Sequence, residues 1–107
     1  MKKRIIRKHV YKMVNAVARF AMYHKAFALA QPAYDYALLV ADCTAAAFEE
    51  GTSDTKLRRL ATAKRALAEC MYCLWLADEE GHDMLKVRIA ADLVRIHLES
   101  YIKTLTR

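Results

Sequence analysis

The sequence predicts a small all-helical protein, an antiparallel four-helix bundle that spans residues 1–107. Hydrophobic residues make up 56% of the chain, which contains only two glycines and one proline, and this composition favours helices over sheets or disorder. Breaks at Gln31-Pro32, Gly51 to Asp54 and Gly81 to Asp83 separate four segments. A chain of this length forms one domain, and its short connections predict up-down-up-down order.

The first segment is predicted to be an amphipathic helix whose apolar side chains recur at steps of four and three. These are Ile6, Val10, Met13, Val17, Phe20, His24 and Phe27. The basic start is similar to that of a secretory signal, but Arg7, Lys8 and Lys12 interrupt the apolar run that such a signal needs. A mitochondrial transit peptide is the other alternative, and the unbroken helical spacing favours a structural helix instead.

The second segment is predicted to carry Pro32 in its first turn. One apolar line consists of Tyr34, Leu38, Ala41, Ala45 and Phe48, and a second consists of Tyr36, Val40, Cys43 and Ala47. A narrow polar line of Asp35, Asp42 and Glu49 separates them. One bundle core covers only one such line, so we expect the other to contact a second subunit.

The third segment is predicted to begin with Ser53 or Asp54 as its N-cap and to end at Gly81. Its predicted core face consists of Leu57, Leu60, Lys64, Leu67, Met71 and Leu74, with Ala68 and Trp75 beside it. On that face, the aliphatic stem of Lys64 can pack while its ammonium group reaches solvent.

The fourth segment is predicted to use Asp83 as its N-cap. It carries two apolar faces, one of Leu85, Ile89, Leu93 and Ile96 and one of Val87, Val94, Leu98, Tyr101 and Leu105. A polar line of alternating sign consists of Arg88, Asp92, Arg95, Glu99 and Lys103. Residues at this spacing form ion pairs along a helix, so the polar line is expected to be a solvated edge.

Three short motifs carry reactive or metal-binding residue types, and we expect no catalytic, metal or cofactor site from any of them. Cys70 and Cys73 form a CxxC in mid-helix, without a redox-protein context or a second ligand pair, which predicts buried structural thiols. Glu79 and His82 have the spacing of half a di-iron site, but no matching half exists. His24 could be a ligand or a base, although a histidine packed against a neighbour is the favoured interpretation.

The cellular compartment is predicted from the cysteines and the hydropathy. Three cysteines cannot all pair within one chain, and this number favours a reducing cytoplasm over a disulfide scaffold. No run of 18 apolar residues occurs, so no membrane span is expected.

Charged residues occur in blocks along the chain. Residues 1–30 hold eight basic residues and no acid, whereas residues 31–55 hold five acids and no base. Five bases follow in 56–68 and five acids in 69–83. The third helix therefore has basic residues at its start and acids at its end. This arrangement opposes the helix dipole and costs roughly 0.3 kcal/mol or more of stability per exposed charge.

Antiparallel packing would collect the basic blocks at one end of the bundle. That end, residues 1–15, 42–68 and 95–107, holds fourteen basic and five acidic residues, and the other end holds four basic and seven acidic. With a net charge of +6, this distribution favours an anionic partner such as nucleic acid. The alternative is an ordinary solvated surface on which neighbouring acids and bases neutralise each other.

In these features the chain resembles the Avd-like four-helix-bundle family, which includes accessory proteins of diversity-generating retroelements and proteins encoded in intervening sequences of bacterial 23S rRNA genes. The strongest stretch is Lys56 to Gly81, KLRRLATAKRALAECMYCLWLADEEG. It looks like the family's third helix, with a basic start, small residues on one face and an aromatic-rich end before a glycine. The first break at Pro32 and the basic last turn extend the likeness over nearly the whole chain.

The resemblance implies a homopentameric barrel whose basic surface contacts nucleic acid, and which assists a reverse transcriptase during mutagenic copying of a template RNA. It implies no catalytic residues, only basic positions in helix 1 and early helix 3. The retroelement branch and the rRNA branch both stay open, because genomic neighbourhood distinguishes them.

The leading hypothesis is a non-enzymatic, oligomeric protein that binds RNA or DNA. Phosphate contacts are expected from Lys8, Lys12, Lys56, Arg58, Arg59 and Arg65. A second hypothesis is a protein-interaction scaffold of the rRNA intervening-sequence type, built on the extra apolar lines of helices 2 and 4. A third is a chorismate-mutase-like helical enzyme, which would need buried basic residues for its dianionic substrate, whereas the basic residues here lie mostly off the apolar lines.

Overall fold

Four long α-helices run along the bundle in the computed structural model, which describes residues 2–106. They are α1 (Lys2–Tyr23), α2 (Ala30–Glu49), α3 (Ser53–Glu79) and α4 (Leu85–Leu105). The bundle measures 43 × 18 × 18 Å, and a helix the length of α3 spans about 40 Å. Connections of a few residues cannot return along that length, so successive helices are antiparallel, which confirms the predicted four-helix bundle.

Each helix packs against two neighbours in the cyclic order α1, α2, α3, α4, and within residues 2–106 the backbones of diagonally opposite helices do not approach each other closely. The packing is closest between α2 and α3 and loosest between α3 and α4. Small side chains explain the close pair, because the distance between two helix axes depends on the side chains at their contact. The buried small residues of these two helices are Ala30, Ala33, Ala37, Thr44, Ala47, Ala63, Ala66, Cys70, Cys73 and Ala77.

The buried face of α2 differs from both predicted apolar lines. It consists of Ala30, Ala33, Ala37, Val40, Thr44, Ala47 and Phe48. Most of the two predicted lines flank this face, and Leu38 and Leu39 are exposed. The expectation that one of the two lines forms the core face was therefore wrong, and only Val40, Ala47 and Phe48 of the two lines are buried. Helix α2 lies too close to α3 to place large residues between them.

The predicted core line of α1 is confirmed from Ile6 to Phe20, but the helix ends before the pattern does. Ile6, Val10, Met13, Val17 and Phe20 are buried, and α1 stops at Tyr23. His24 and Phe27 belong to the connection, where both rings pack against Phe20. Gln31 and Pro32 lie in the first turn of α2, as predicted for Pro32, so the break precedes them.

The helix ends follow the sequence signals with a shift of one or two residues. Thr52, not Ser53 or Asp54, is the N-cap of α3, and its hydroxyl accepts a hydrogen bond from the Thr55 amide at 3.3 Å. Met84 precedes α4, and the Asp83 carboxylate accepts the Leu85 amide at 3.4 Å.

Gly81 follows α3 with φ of 93°, which is the left-handed conformation that glycine adopts after helices. The predicted helix end at Gly81 is thus confirmed.

Large apolar side chains remain exposed on α3 and α4. The exposed fractions are 56% for Tyr72, 45% for Trp75, 67% for Leu85, 51% for Ile89 and 46% for Ile96. The predicted second face of α4 supplies the core instead, through Val94, Leu98 and Tyr101. Lys64 is exposed and lies beside the buried face of α3. No helix within residues 2–106 is long and apolar enough to cross a membrane.

The close approach of α2 and α3 predicts that Ala37→Leu is destabilising. Ala37 is fully buried, and added methyl groups in a tightly packed core cost about 1–3 kcal/mol. Ala45→Leu, on the exposed side of the same helix, is the matched control and should change stability by less than about 0.5 kcal/mol. Urea unfolding of both variants measures the difference, and equal values would contradict close α2–α3 packing.

Candidate nucleic-acid interface

The first turns of α1 and α3 meet at one end of the bundle. Lys3 of α1 and Lys56 of α3 lie close enough for the Lys56 ammonium to lower the pKa of Lys3, with smaller contributions from desolvation and from Arg7. Two like charges at this separation repel, so the fold holds these lysines together against their electrostatic preference. The basic end predicted from the antiparallel order therefore exists, although Lys3 was not among the predicted contacts.

An aromatic pair supports the cations at this end. The ring of Phe48, at the end of α2, lies 5.8 Å from the Lys3 ammonium and 5.1 Å from the Arg7 guanidinium carbon. Tyr101 of α4 packs edge-to-face on Phe48, with 5.5 Å between ring centroids. Cations at such distances from a ring are attracted to its face. The α1, α2 and α4 ends are thereby joined around Lys3 and Arg7.

Three predicted contact residues lie on exposed positions of α3. Arg58 and Arg65 have no ion-pair partner within residues 2–106, whereas Arg59 binds Glu50 at 3.4 Å. Arg58, Arg59 and Glu50 line a shallow hollow with Thr55 and Thr62. Glu50 partly neutralises the charge of Arg59. Because an exposed ion pair contributes little to stability, Arg59 can still exchange Glu50 for a phosphate.

The other predicted contacts, Lys8 and Lys12, are exposed on α1. They flank His9, whose ring stacks on that of His97 of α4, with 4.7 Å between centroids and 7° between planes. The pKa of His9 is lowered mainly by burial, then by His97, Lys12 and Lys8. Lys8 and Lys12 thus extend the positive potential along the junction of α1 with α4.

The six predicted residues do not form one flat patch. Helices α1 and α3 are diagonal in the bundle, so exposed side chains on their outer surfaces point to opposite sides. Lys56, beside Lys3, lies where the two sides meet at the end. We name the combined surface the basic end: Lys3, Arg7, Lys8, Lys12, Lys56, Arg58, Arg59 and Arg65. A polyanion that touches both sides must cross the end of the bundle, which is about as wide as the 18 Å cross-section.

Sequence reasoning missed Lys3 and Arg7 because their role depends on Phe48. Both residues lie next to the buried line of α1, four positions apart, on the side that faces α2. Antiparallel α2 ends beside the start of α1, so its last aromatic residue, Phe48, could have been matched with the first basic residues of α1. The match between Phe48 and these basic residues was the signal in the sequence that could have identified Lys3 and Arg7.

The opposite end of the bundle is acidic. Asp78, Glu79, Glu80 and Asp83 are exposed there, and Asp78 binds Arg88 of α4 at 3.1 Å. The charge separation along the long axis is therefore retained in the folded chain.

The CxxC residues are buried within the α2–α3 contact. The Cys70 thiol donates a hydrogen bond to the Ala33 carbonyl at 3.4 Å, and burial raises the pKa of Cys70 to about 12. Burial also raises the pKa of Cys73. A thiol with such a pKa stays protonated, which makes it a poor nucleophile and a poor metal ligand at neutral pH.

The side chains of Glu79 and His82 have different surroundings. Glu79 is exposed, whereas His82 packs against Phe20, His24 and Phe27, with ring centroids 4.6–5.8 Å apart. Within the part of the chain that the structure describes, no three His, Cys, Asp or Glu side chains come together as metal ligands.

Comparisons of this chain with protein-family models, curated proteins and solved structures found no match.

The burial of the two thiols predicts a structural effect of replacing them. Cys70→Ala with Cys73→Ala should lower the free energy of unfolding by about 1–3 kcal/mol through lost packing and leave nucleic-acid binding unchanged. The control is Cys43→Ala, at a half-buried position of α2, which should cost less. Stoichiometric zinc in the purified parent, lost in the double variant, would show that the thiols are ligands instead.

Proposed function

We propose that the protein is a non-enzymatic, homo-oligomeric accessory protein that binds nucleic acid through its basic end. The observation that supports this most strongly is the close placement of Lys3 and Lys56. Helices α1 and α3 both begin at this end with basic residues, an arrangement that opposes their dipoles. An arrangement that costs stability in the free chain is explained by a partner that supplies negative charge.

The chemistry of the basic end suits phosphate groups. Its lysines and arginines are mostly exposed and can displace counterions from a polyanion without further folding. Such contacts position a protein on nucleic acid but do not read its sequence. Both RNA and DNA supply the same phosphates, and the proposal covers both.

The proposed cellular role follows from the family resemblance: assistance to the reverse transcriptase of a diversity-generating retroelement, in the cytoplasm. The four-helix architecture agrees with the fold that the resemblance implies. The pentamer and the polymerase partner rest on the resemblance alone. A gene for a reverse transcriptase, adjacent to this one and accompanied by a template repeat, would test that role directly.

Self-association is supported by a groove between α3 and α4. It is lined by Met71, Asp78, Asp83, Leu85, Arg88, Ile89, Asp92 and Leu93. The apolar Leu85 and Ile89 are more than half exposed, and exposed apolar side chains with polar residues around them are typical of an interaction site. The loose α3–α4 packing leaves the groove open, and we propose a second copy of the chain as its occupant.

A second candidate function, a protein-interaction scaffold of the rRNA intervening-sequence type, is favoured by the same groove. In that case the apolar surface of α3 and α4 carries the function, and the basic end is a solvated surface. The two candidate functions differ in whether the protein binds nucleic acid, which fluorescence anisotropy measures.

The α3–α4 groove predicts a stable oligomer. Light scattering at micromolar concentration should give a mass that is a multiple of the 12.3 kDa chain, and a pentamer would give five times that mass. Leu85→Glu with Ile89→Glu should lower the mass, because each buries a charge in an apolar contact. Ser100→Glu, at an exposed position of α4, is the control. A parent mass of 12.3 kDa would contradict self-association.

The basic end predicts salt-dependent binding of RNA or DNA. Replacing Arg58, Arg59 and Arg65 with Glu should weaken binding of all sequences alike and lower the salt slope by about 2–3, since each phosphate contact contributes about 0.9. Fluorescence anisotropy at two salt concentrations measures both effects.

The matched control replaces Arg19, Lys25 and Lys86 with Glu. These residues are exposed and lie toward the other end, so the change in net charge is the same and only its location differs. We expect the control to bind nearly as tightly as the parent. Unchanged binding by the first triple variant would favour the scaffold, and equal weakening in both would indicate a response to net charge alone.

A further inference from the structure

The four histidines of the chain form two pairs, and each pair joins the α1 side of the bundle to the α4 side. His9 and His97 stack with nearly parallel rings, 4.7 Å between centroids. His24, just after α1, meets His82, just before α4, edge-to-face at 4.6 Å. Both pairs share one antiparallel register, because fifteen residues separate His9 from His24 and also His82 from His97.

Within residues 2–106, every charged side chain that shifts the pKa of His9 is a cation. The charged groups that act on His9 are His97 from α4 and Lys8 and Lys12 from its own helix. On α4, the nearby carboxylates of Asp92 and Glu99 bind the Arg95 guanidinium at 2.8 and 3.4 Å. No ion pair within residues 2–106 includes a histidine.

Helix α2 packs on the other flank of α1 and places no carboxylate against the stack. Arg7, Val10, Tyr11 and Val14 of α1 line that flank with Ala41, Thr44 and Ala45 of α2. The acids of α2, Asp35, Asp42 and Glu49, are exposed on its outer face. A proton added to His9 therefore meets only like charges among the groups that act on it.

The second pair has different surroundings. His24 packs on Phe20, and His82 packs on both Phe20 and Phe27. His24 also lines a hollow with Arg19, Asp83 and Lys86. The Asp83 carboxylate in this hollow distinguishes the second pair from the first, where only cations act on His9. This pair is accordingly a natural internal control for the first.

We propose that the His9–His97 stack is a pH-sensitive clasp, which holds α1 on α4 at the basic end while His9 is neutral and loosens that contact when His9 gains a proton. Two uncharged rings stack favourably, whereas a protonated His9 carries a charge into a partly buried contact between helices and is repelled by positive charge around it. Lys8 and Lys12 add to the repulsion. The clasp is independent of the proposed function, because it requires neither an oligomer nor nucleic acid.

The direction of the pH effect follows from the surroundings of His9. Burial, His97 and the two lysines lower its pKa below the ordinary value of 6.5, so the unfolded chain binds more protons than the folded chain in this range. Stability is thus complete above 6.5 and is lost as the pH falls through that value toward the lower pKa of the folded state.

The test compares thermal unfolding of three proteins between about pH 8 and pH 5.5, above the range in which ordinary carboxylates titrate. The variant His9→Phe with His97→Phe keeps two flat rings but removes the titration. The control variant is His24→Phe with His82→Phe. We expect the melting temperature of the parent and of the control to fall by about 4–8 °C more than that of the His9/His97 variant.

An equal fall in all three proteins would overturn the clasp. A measurement on the parent alone keeps the proposal testable if the double variant does not fold. The ring resonances of the histidines are followed by NMR over the same range: His9 should titrate below 6.5, with loss of ring-to-ring contacts to His97 as it does. Titration of His9 at or above that value would also overturn the proposal.

Discussion

The antiparallel order of the helices determines where every notable side chain lies. The helices span about 30–40 Å of the 43 Å bundle, and the connections between them hold only three to six residues, so no other order is open to the chain. This order places the start of α3 beside the start of α1 and brings Lys3 to Lys56. It also sets Phe48 against Lys3 and Arg7. The histidine pairs arise in the same way, from one register between α1 and α4.

The charge distribution works against the stability of the free bundle. Asp54 is the one acid in the first turn of α3, and the last turn holds no base, although the helix dipole favours acids at the start and bases at the end. In α4 the charges follow the stabilising pattern, since Arg95 binds Asp92 and Glu99 within its own helix. The charged residues of α4 therefore form stabilising pairs within their helix, whereas the basic residues at the start of α3, at the basic end, oppose the dipole of their helix.

The sequence predicted the elements well and their packing less well. Helical spacing identified the buried face of α1, and Gly81 marked the end of α3, because both signals are local. The buried face of α2 was missed: alanines such as Ala33 and Ala37 carry a weak hydrophobic signal, while Tyr34 and Leu38 carry a strong one and lie at the edge or outside. Here the closeness of two helices, which local spacing does not encode, decided which side faces inward.

Parts of the candidate site that depend on two distant segments could not be predicted from one segment. Lys8, Lys12 and Arg58 were identified because charge blocks are visible along the chain. The cation pair on Phe48 and the stack of His9 on His97 required the register between helices, which follows from contacts that form only in the folded bundle. His24 and Phe27 continued the spacing of α1 although the helix had ended, because their rings pack on Phe20 from the connection.

The α3–α4 groove and the basic end lie on different parts of the bundle. Self-association through the groove and nucleic-acid binding at the basic end can therefore occur together. The α3–α4 groove includes Asp78 and Asp83 of the acidic end, so copies that associate through it leave the basic end of each bundle uncovered. Where the copies point in the same direction, their basic ends collect on one face of the assembly and repel each other, most strongly at low salt. A polyanion on that face neutralises the repulsion and, by mass action, stabilises the assembly that binds it. In the proposed function, nucleic-acid binding and self-association are therefore linked, and each strengthens the other.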